Sequence, residues 1–563
     1  MTAQATLKEM FDRLQCAADH FVSKTPSERS QLARATARCV ARGSRAWSLE
    51  GVRLKQNGIQ EQWSVVNTAA DVSLAEEIAT GPLVTLRLLL LTAAALDEIA
   101  QRGTPQWLTS SHVHSDGSIR VRVMPTPRIG LWDGLIFRGH CATVCCDTDF
   151  ETHGRDAKSR MNAFCESWQE KARHQPLCGG TALVLGAGNV TGLGPNDAIS
   201  QIFEYGRAVL LKLHPLHASL VVPLQNALSP LVDAGLLIIV AGGPEIASEA
   251  VRLSSVSHVH LTGSQHTFAQ VQKVCESVSN PPSLSCELGN VSPWLIVPGC
   301  YSRKALGRQA DMVAASIIHN ASLNCISTKL VITCSRWPQR DLFCSILQER
   351  LRSFPPRVAW YPGSSAAWET LTGEKSPENG TLPWTLKTDL SLQLHRHWFD
   401  KEWFLPACGE IRLDAADCGD WCRRAIAFTE SVAGTLAASV TVPTGLSLTD
   451  SADVESMLNA LRYGVVSVNC WSALAYSFGN VPWGGFPGAT PESPESGIGR
   501  VHNPLFLPGV RTSRITGPLC SSETPPWFPW HSRGAALAQG LLRLYDKGGL
   551  WNVVRMFPDV LRG

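Results

Sequence analysis

Between about residues 178 and 290, short apolar runs alternate with amphipathic stretches, and most runs end at a turn containing Gly or Pro. TALVLGAG, RAVLLKLHP, LLIIVAGG and VSHVHLTGS read as strands. DAISQIFEYG, PLQNALSPLVDAG and HTFAQVQKVCESV read as helices. Strands that are apolar at nearly every position are buried on both faces, and helical crossovers between them require a parallel sheet covered by helices. The fold class is therefore α/β. A chain of 563 residues exceeds what one core normally serves, so two or three domains are expected.

The flanking segments differ in period. The first hundred residues carry Ala, Leu and Arg at helical spacing. Residues 118–148 alternate and are broken by Pro and Gly, which predicts antiparallel strands. A second α/β stretch runs from about 291 to 470. The segment 520–530, CSSETPPWFPW, reads as an irregular arm, followed by two amphipathic helices parted at Gly548-Gly549. The most apolar run, LRLLLLTAAAL at 86–96, is bracketed by Arg87 and Asp97 and is too short for a membrane span, so a buried helix is expected.

Several function classes fall away. Fifty Lys and Arg against 48 Asp and Glu leave no charge excess for a nucleic acid or an acidic membrane. The polar stretch MTAQATLKEMFDRLQ lacks a signal-peptide apolar region, so the 18 cysteines are expected as reduced thiols in the cytoplasm. Cys141, Cys145 and Cys146 cluster, as do Cys418 and Cys422, but neither group has a second half at metal spacing; no metal site is expected.

The stretch TALVLGAGNVTGLG, 181–194, looks like a dinucleotide-binding turn. Gly186 and Gly188 fit that fingerprint, but Gly192 falls one residue late, and the second strand ends in Leu211-Lys212 where an acidic residue belongs. Other motifs follow in order: Thr262-Gly263-Ser264 at a strand-to-helix turn, Glu287-Leu288-Gly289 entering an apolar strand, Cys325 in the small-residue loop of NASLNCISTKLVIT, EWFLP at 402–406, and PWGGFPGATPESPESGIG at 482–499.

This set, in this order, resembles the aldehyde dehydrogenase superfamily over roughly residues 176–500. The intervals agree with the family's: 23 positions from Asn189 to Lys212, 75 from Lys212 to Glu287 and 38 from Glu287 to Cys325. The resemblance implies an aldehyde dehydrogenase-like fold. A Rossmann-type cofactor domain would take 1–117 and 149–290, and an α/β catalytic domain 291–500. A small antiparallel ribbon of 118–148 with about 504–516 would bridge subunits of a homodimer or homotetramer. The 520–563 arm and helices have no counterpart in the motif set.

The same resemblance assigns roles. Cys325 would be the nucleophile that adds to the carbonyl carbon. The Asn189 amide, with the backbone N–H of Cys325, would hold the developing oxyanion. Glu287 would be the general base. For NADP or NAD, Lys212 would reach the adenine ribose, Gly263 and Ser264 would open a helix whose amides meet the pyrophosphate, Glu402 would bind the nicotinamide ribose, and Phe404 would lie near the nicotinamide. Where the family reads Pro-Ser-Glu after the lysine, this chain reads Leu213-His214-Pro215. No acid stands there to repel a 2′-phosphate, so NADP is admitted, and His214 and His217 could add contacts to that phosphate.

Two departures reshape the expectation. Asn290 replaces the usual second glycine after Glu287, and Cys325 to Glu402 spans 77 residues, about twenty fewer than in the common hydrolytic relatives. Oxidation of an aldehyde to its acid is the leading reading. Transfer of the acyl group to coenzyme A or a carrier thiol, or the reverse reduction of an acyl thioester, is the alternative, and a non-catalytic scaffold is a third. Trp and Phe near the C-terminus would admit a large apolar substrate.

Overall fold

The computed structural model describes residues 6–56, 67–103, 105, 111–114, 116–130, 132–147, 156–173, 179–521 and 523–561. Positions 1–5, 148–155 and 176–178, which fall within segments read above from the sequence, lie outside the described residues.

A six-stranded sheet runs in the order Gly497–Ile498, Ser283–Glu287, His258–Thr262, Thr181–Leu185, Ala208–Leu213, Leu237–Ala241. All but the first are parallel to their neighbours. Chain order reverses at Thr181–Leu185, so the connections on its two sides diverge and open a crevice at the carboxyl ends of the strands. The turn carrying Gly186 and Asn189 lies at that crevice. Every residue of Thr181–Leu185 and Ala208–Leu213 is buried, as their unbroken apolar runs require. The single helix expected over PLQNALSPLVDAG is instead two short ones, Val221–Ala227 and Ser229–Asp233. Pro230 lacks the N–H that would continue the first, and its ring crowds the carbonyl four residues back.

The second sheet has ten strands. Its parallel middle includes Pro293–Ile296, Leu330–Cys334, Ala407–Leu413, Ala437–Thr441 and Val465–Val468. On one side Val510–Thr516 pairs parallel to Val465–Val468 and antiparallel to Cys141–Cys146, which in turn pairs with Ile119–Met124. The strands of 118–148 and 504–516 therefore extend this sheet within one chain.

Of the N-terminal helices, Leu7–Val22 packs on the six-stranded sheet and Pro26–Gln56 on the apolar helix that follows. Among the described residues, Asp71–Arg102 is long and apolar enough to cross a membrane by length and composition, yet 83% of its most apolar window is buried inside the protein. It is a core helix, as 86–96 suggested. Pro82 interrupts its ladder with a wider turn at Ala79–Leu83.

Arg87 of this helix is buried and makes two hydrogen bonds to Asp133, at 2.7 and 3.2 Å. Tyr545, on the helix Gly534–Lys547, donates to the same carboxylate at 2.6 Å. The two C-terminal helices are parted at Gly548-Gly549 as expected; the first is held to the core by this buried ion pair and by its buried apolar face, and the second packs on the first. Arg87→Met should leave the buried Asp133 carboxyl without its ion-pair partner and lower stability by about 3–5 kcal/mol. Urea unfolding measures this; a loss of less than about 1 kcal/mol, the range of exposed pairs, would contradict it.

Candidate active site

Cys325 stands on the loop between the helix Arg303–Ile318 and the strand Leu330–Cys334. Before it, Asn320, Ala321 and Ser322 take left-handed backbone conformations, with φ of 54°, 55° and 64°. That conformation costs non-glycine residues about 1–2 kcal/mol each, so the loop must be held from outside. The buried Lys329 ammonium donates to the Ser322 carbonyl and hydroxyl and to the Leu405 carbonyl, each at 2.8 Å. The Asn320 amide donates to the carbonyls of Asn189 and Leu323, at 3.0 and 2.8 Å, and its oxygen accepts from Lys55 at 2.6 Å. Asn320 therefore ties the turn bearing Asn189 to the loop bearing Cys325.

Three groups converge on this loop. Glu287 ends the strand Ser283–Glu287, and its Oε1 lies 3.7 Å from the Cys325 sulfur, which donates to it. Asn189 is buried, and its Nδ2 donates to the Leu323 carbonyl at 3.3 Å. An amide nitrogen carries two hydrogens, so one N–H remains for a substrate oxygen. Glu402 sits behind Gly289: a Cβ on that glycine would stand 2.4 Å from Glu402 Oε2. The glycine of the Glu-Leu-Gly motif is the space that admits the second carboxylate.

Burial dominates the electrostatics. It pushes the Cys325 thiol well above its usual value, and Glu287 and Glu402 push it further the same way. The resting nucleophile is a thiol and needs a base. Burial, followed by the negative charge of Asp197, raises Glu287 to about 7. Asp197 lies on the helix Leu193–Tyr205 and accepts from Thr262 at 2.8 Å, while Thr262 is the strand neighbour of Glu287. Burial likewise raises Glu402 and lowers Lys329, each opposing the other's shift.

Nine of the ten site residues named from the sequence, Asn189, Lys212, His214, Gly263, Ser264, Glu287, Cys325, Glu402 and Phe404, line one cavity of about 780 Å³. This falls in the range of cofactor sites. At one end Ser264 caps the helix Gln265–Glu276, accepting from the Thr267 N–H, and Gly263 donates to the Glu287 carbonyl at 3.0 Å. At Gly188 a Cβ would meet the His214 ring at 2.5 Å, so a side chain there would collide with the wall. Glu402 Oε1 is buried without a hydrogen-bond partner, as a carboxylate awaiting a hydroxyl would be. These features fit a dinucleotide.

His217 does not belong to the site. The 3₁₀ turn Pro215–Leu220 rotates it away from the cavity lining, and burial lowers it to about 3, so it stays neutral and offers no cation to a phosphate. His214 does line the cavity, but burial and the Lys212 charge lower it as well, and its Nδ1 already accepts from the Leu216 N–H. Sequence reasoning missed Asn320, Lys329 and Asp197, whose partners are far along the chain. It also missed Glu245, which opens the helix Pro244–Val251 and whose charge acts on Lys212.

Comparison with known proteins agrees with this fold. The model of the aldehyde dehydrogenase family matches residues 151–357. Among solved structures, an indole-3-acetaldehyde dehydrogenase complexed with NAD+ is 16% identical, with 90% of this chain and 88% of that one covered at a TM-score of 0.60. The aldehyde dehydrogenase KauB from Pseudomonas aeruginosa is 15% identical, with 91% and 89% covered and a TM-score of 0.60. A 3,6-anhydro-L-galactose dehydrogenase in complex with NADP is 14% identical, with 90% and 91% covered and a TM-score of 0.57. Comparison with curated protein sequences gives no match.

Proposed function

We propose that this chain, a member of the aldehyde dehydrogenase superfamily, oxidises an aldehyde to its carboxylic acid with NADP or NAD through a covalent intermediate on Cys325. The observation that carries the reading is the 3.7 Å contact between a half-buried thiol and a buried carboxylate held near neutrality. In this reaction Glu287 takes the thiol proton as the sulfur adds to the aldehyde carbon. The charge that develops on the carbonyl oxygen meets the free N–H of Asn189. A nicotinamide dinucleotide, when bound, supplies the two-electron acceptor that converts the thiohemiacetal into a thioester. Lys212, His214, Gly263, Ser264, Glu402 and Phe404 would hold it. Glu287 releases that proton to solvent and, as a carboxylate again, takes one from water as the water oxygen attacks the thioester; it returns this proton to the departing sulfur, so the acid leaves and the thiol re-forms.

The test supplies NADP+ and NAD+ with an aldehyde panel, with and without coenzyme A. Turnover without coenzyme A is expected. Strict dependence on coenzyme A would replace hydrolysis by acyl transfer, and no turnover under any condition would leave a scaffold. Asn189→Ala should lower the chemical step by about 10²–10³-fold with dinucleotide affinity nearly unchanged, in single-turnover kinetics and a binding titration. Weakened dinucleotide binding with an intact chemical step would show that Asn189 serves the cofactor instead.

A further inference from the structure

A second cavity meets Cys325 and Glu287 from the side away from the dinucleotide residues, and it is small, about 50 Å³. Its walls are Trp471, Tyr476, Trp483, Trp527, Leu474 and His319. The Trp471 indole donates to the carbonyl of Ile326, the residue after the nucleophile, at 2.7 Å, and the His319 ring packs against it at 5.1 Å. The inner wall is thus fixed to the loop that carries the reacting sulfur.

The outer wall comes from the Trp/Pro-rich arm. Trp527 packs on Trp471 with ring centroids 4.9 Å apart and on Phe528 at 4.6 Å. Phe528 is buried, and the Arg308 guanidinium lies over it at 4.7 Å. Arg308 also donates to the Glu523 carbonyl, so the arm is tied on both sides of Trp527. Apart from Cys325, which also lines the first cavity, the lining residues that retain exposure are Ala79, Thr80, Ala473, Ser477 and Trp527 itself, and they mark the mouth.

Size and charge then limit what enters. One water-sized group needs about 10–15 Å³ in this measure, so the cavity holds three to five such groups. Among the described residues its only charged lining side chain is Glu287, and His319 is lowered to about 4 by burial and stays neutral. No cation is available for a carboxylate or phosphate tail.

Resting on the proposed aldehyde oxidation, we propose that the substrate is an uncharged, unsubstituted aliphatic aldehyde of about two to four carbons, and that Trp527, contributed by the C-terminal arm, is the residue that sets this limit. The aromatic arm narrows the site where its composition alone suggested a large apolar substrate. Trp527→Ala replaces the mouth-side indole by a methyl group and lengthens the channel toward solvent. Each methylene that then finds apolar surface adds about fourfold in kcat/KM.

The test measures kcat/KM for linear aldehydes from acetaldehyde to octanal on the full chain, with the dinucleotide it prefers. Wild type should be fastest on two to four carbons and at least tenfold slower on octanal. Trp527→Ala should raise the octanal-to-propanal ratio by ten- to a hundredfold, and Trp527→Phe by a few-fold. Thermal unfolding and dinucleotide binding check that each variant is folded; should the Ala variant fail to fold, the Phe variant carries the comparison. A wild type that prefers octanal, or ratios within twofold of wild type in a folded variant, would overturn the size limit while leaving aldehyde oxidation standing. No turnover of any aldehyde would remove the oxidation itself, and the size limit with it.

Discussion

Cys325→Ala should abolish aldehyde oxidation, by roughly 10⁴-fold or more, while the protein still binds its dinucleotide. The side chain being removed contributes little to stability: it is half-buried at the junction of two cavities, and its polar contacts are long, 3.7 Å to Glu287 and 3.9 Å to Asn324 Oδ1. The loop around it is held by Lys329, Asn320 and Trp471, none of which uses the sulfur. The loss should therefore appear in the chemical step and not in folding or cofactor affinity. Substituting Ala also removes the thiol hydrogen bond that favours the Glu287 carboxylate. A binding titration with NADP+ and NAD+ beside single-turnover rates separates the effects. A variant that retained activity within tenfold of wild type would exclude Cys325 as the nucleophile.

What could be read from the sequence follows the range over which each signal acts. The alternation of Thr181–Leu185, Ala208–Leu213 and His258–Thr262 with helices is local, and it survives intact in the six-stranded sheet. Asn189, Glu287 and Cys325 were legible because their motifs keep fixed intervals, and the fold brings them to one cavity. The parts that were not legible depend on contacts between distant positions. Asn320 meets Lys55, 265 residues earlier, and nothing in NASLNC beyond a run of small residues signals three left-handed positions. What joins the ribbon to the larger sheet is the parallel pairing of Val510–Thr516 with Val465–Val468, which no local pattern signals. His217 was misplaced for the opposite reason: proximity to Lys212 in sequence says nothing about which way a 3₁₀ turn rotates a side chain. For the Trp-rich arm, composition reports apolar surface and not whether that surface lines space, as Trp527 does, or fills it, as the buried Phe528 does.

Glu287→Gln should lower steady-state turnover by about 10²–10⁴-fold, and its effect on the pH profile is the sharper test. With its value raised to about 7 by burial and by Asp197, Glu287 is protonated in mildly acidic solution and ionised above neutrality. Only the carboxylate accepts a proton, so wild-type activity should rise with pH through about 7 and level off above it. Glutamine cannot accept that proton at any pH, so the limb near 7 should vanish. The remaining activity should climb through the alkaline range instead, where the Cys325 thiol, itself held well above its usual value, begins to ionise unaided. Because Glu287 lies against the thiol and serves as base in both proposed steps, the variant should be slow in acyl-enzyme formation and in its hydrolysis. An added small nucleophile such as hydroxylamine should restore the second step and not the first. Retention of the limb near 7 in Glu287→Gln would assign that titration to another group, with Glu402, raised by burial on the far side of Gly289, the nearest carboxylate that could supply it.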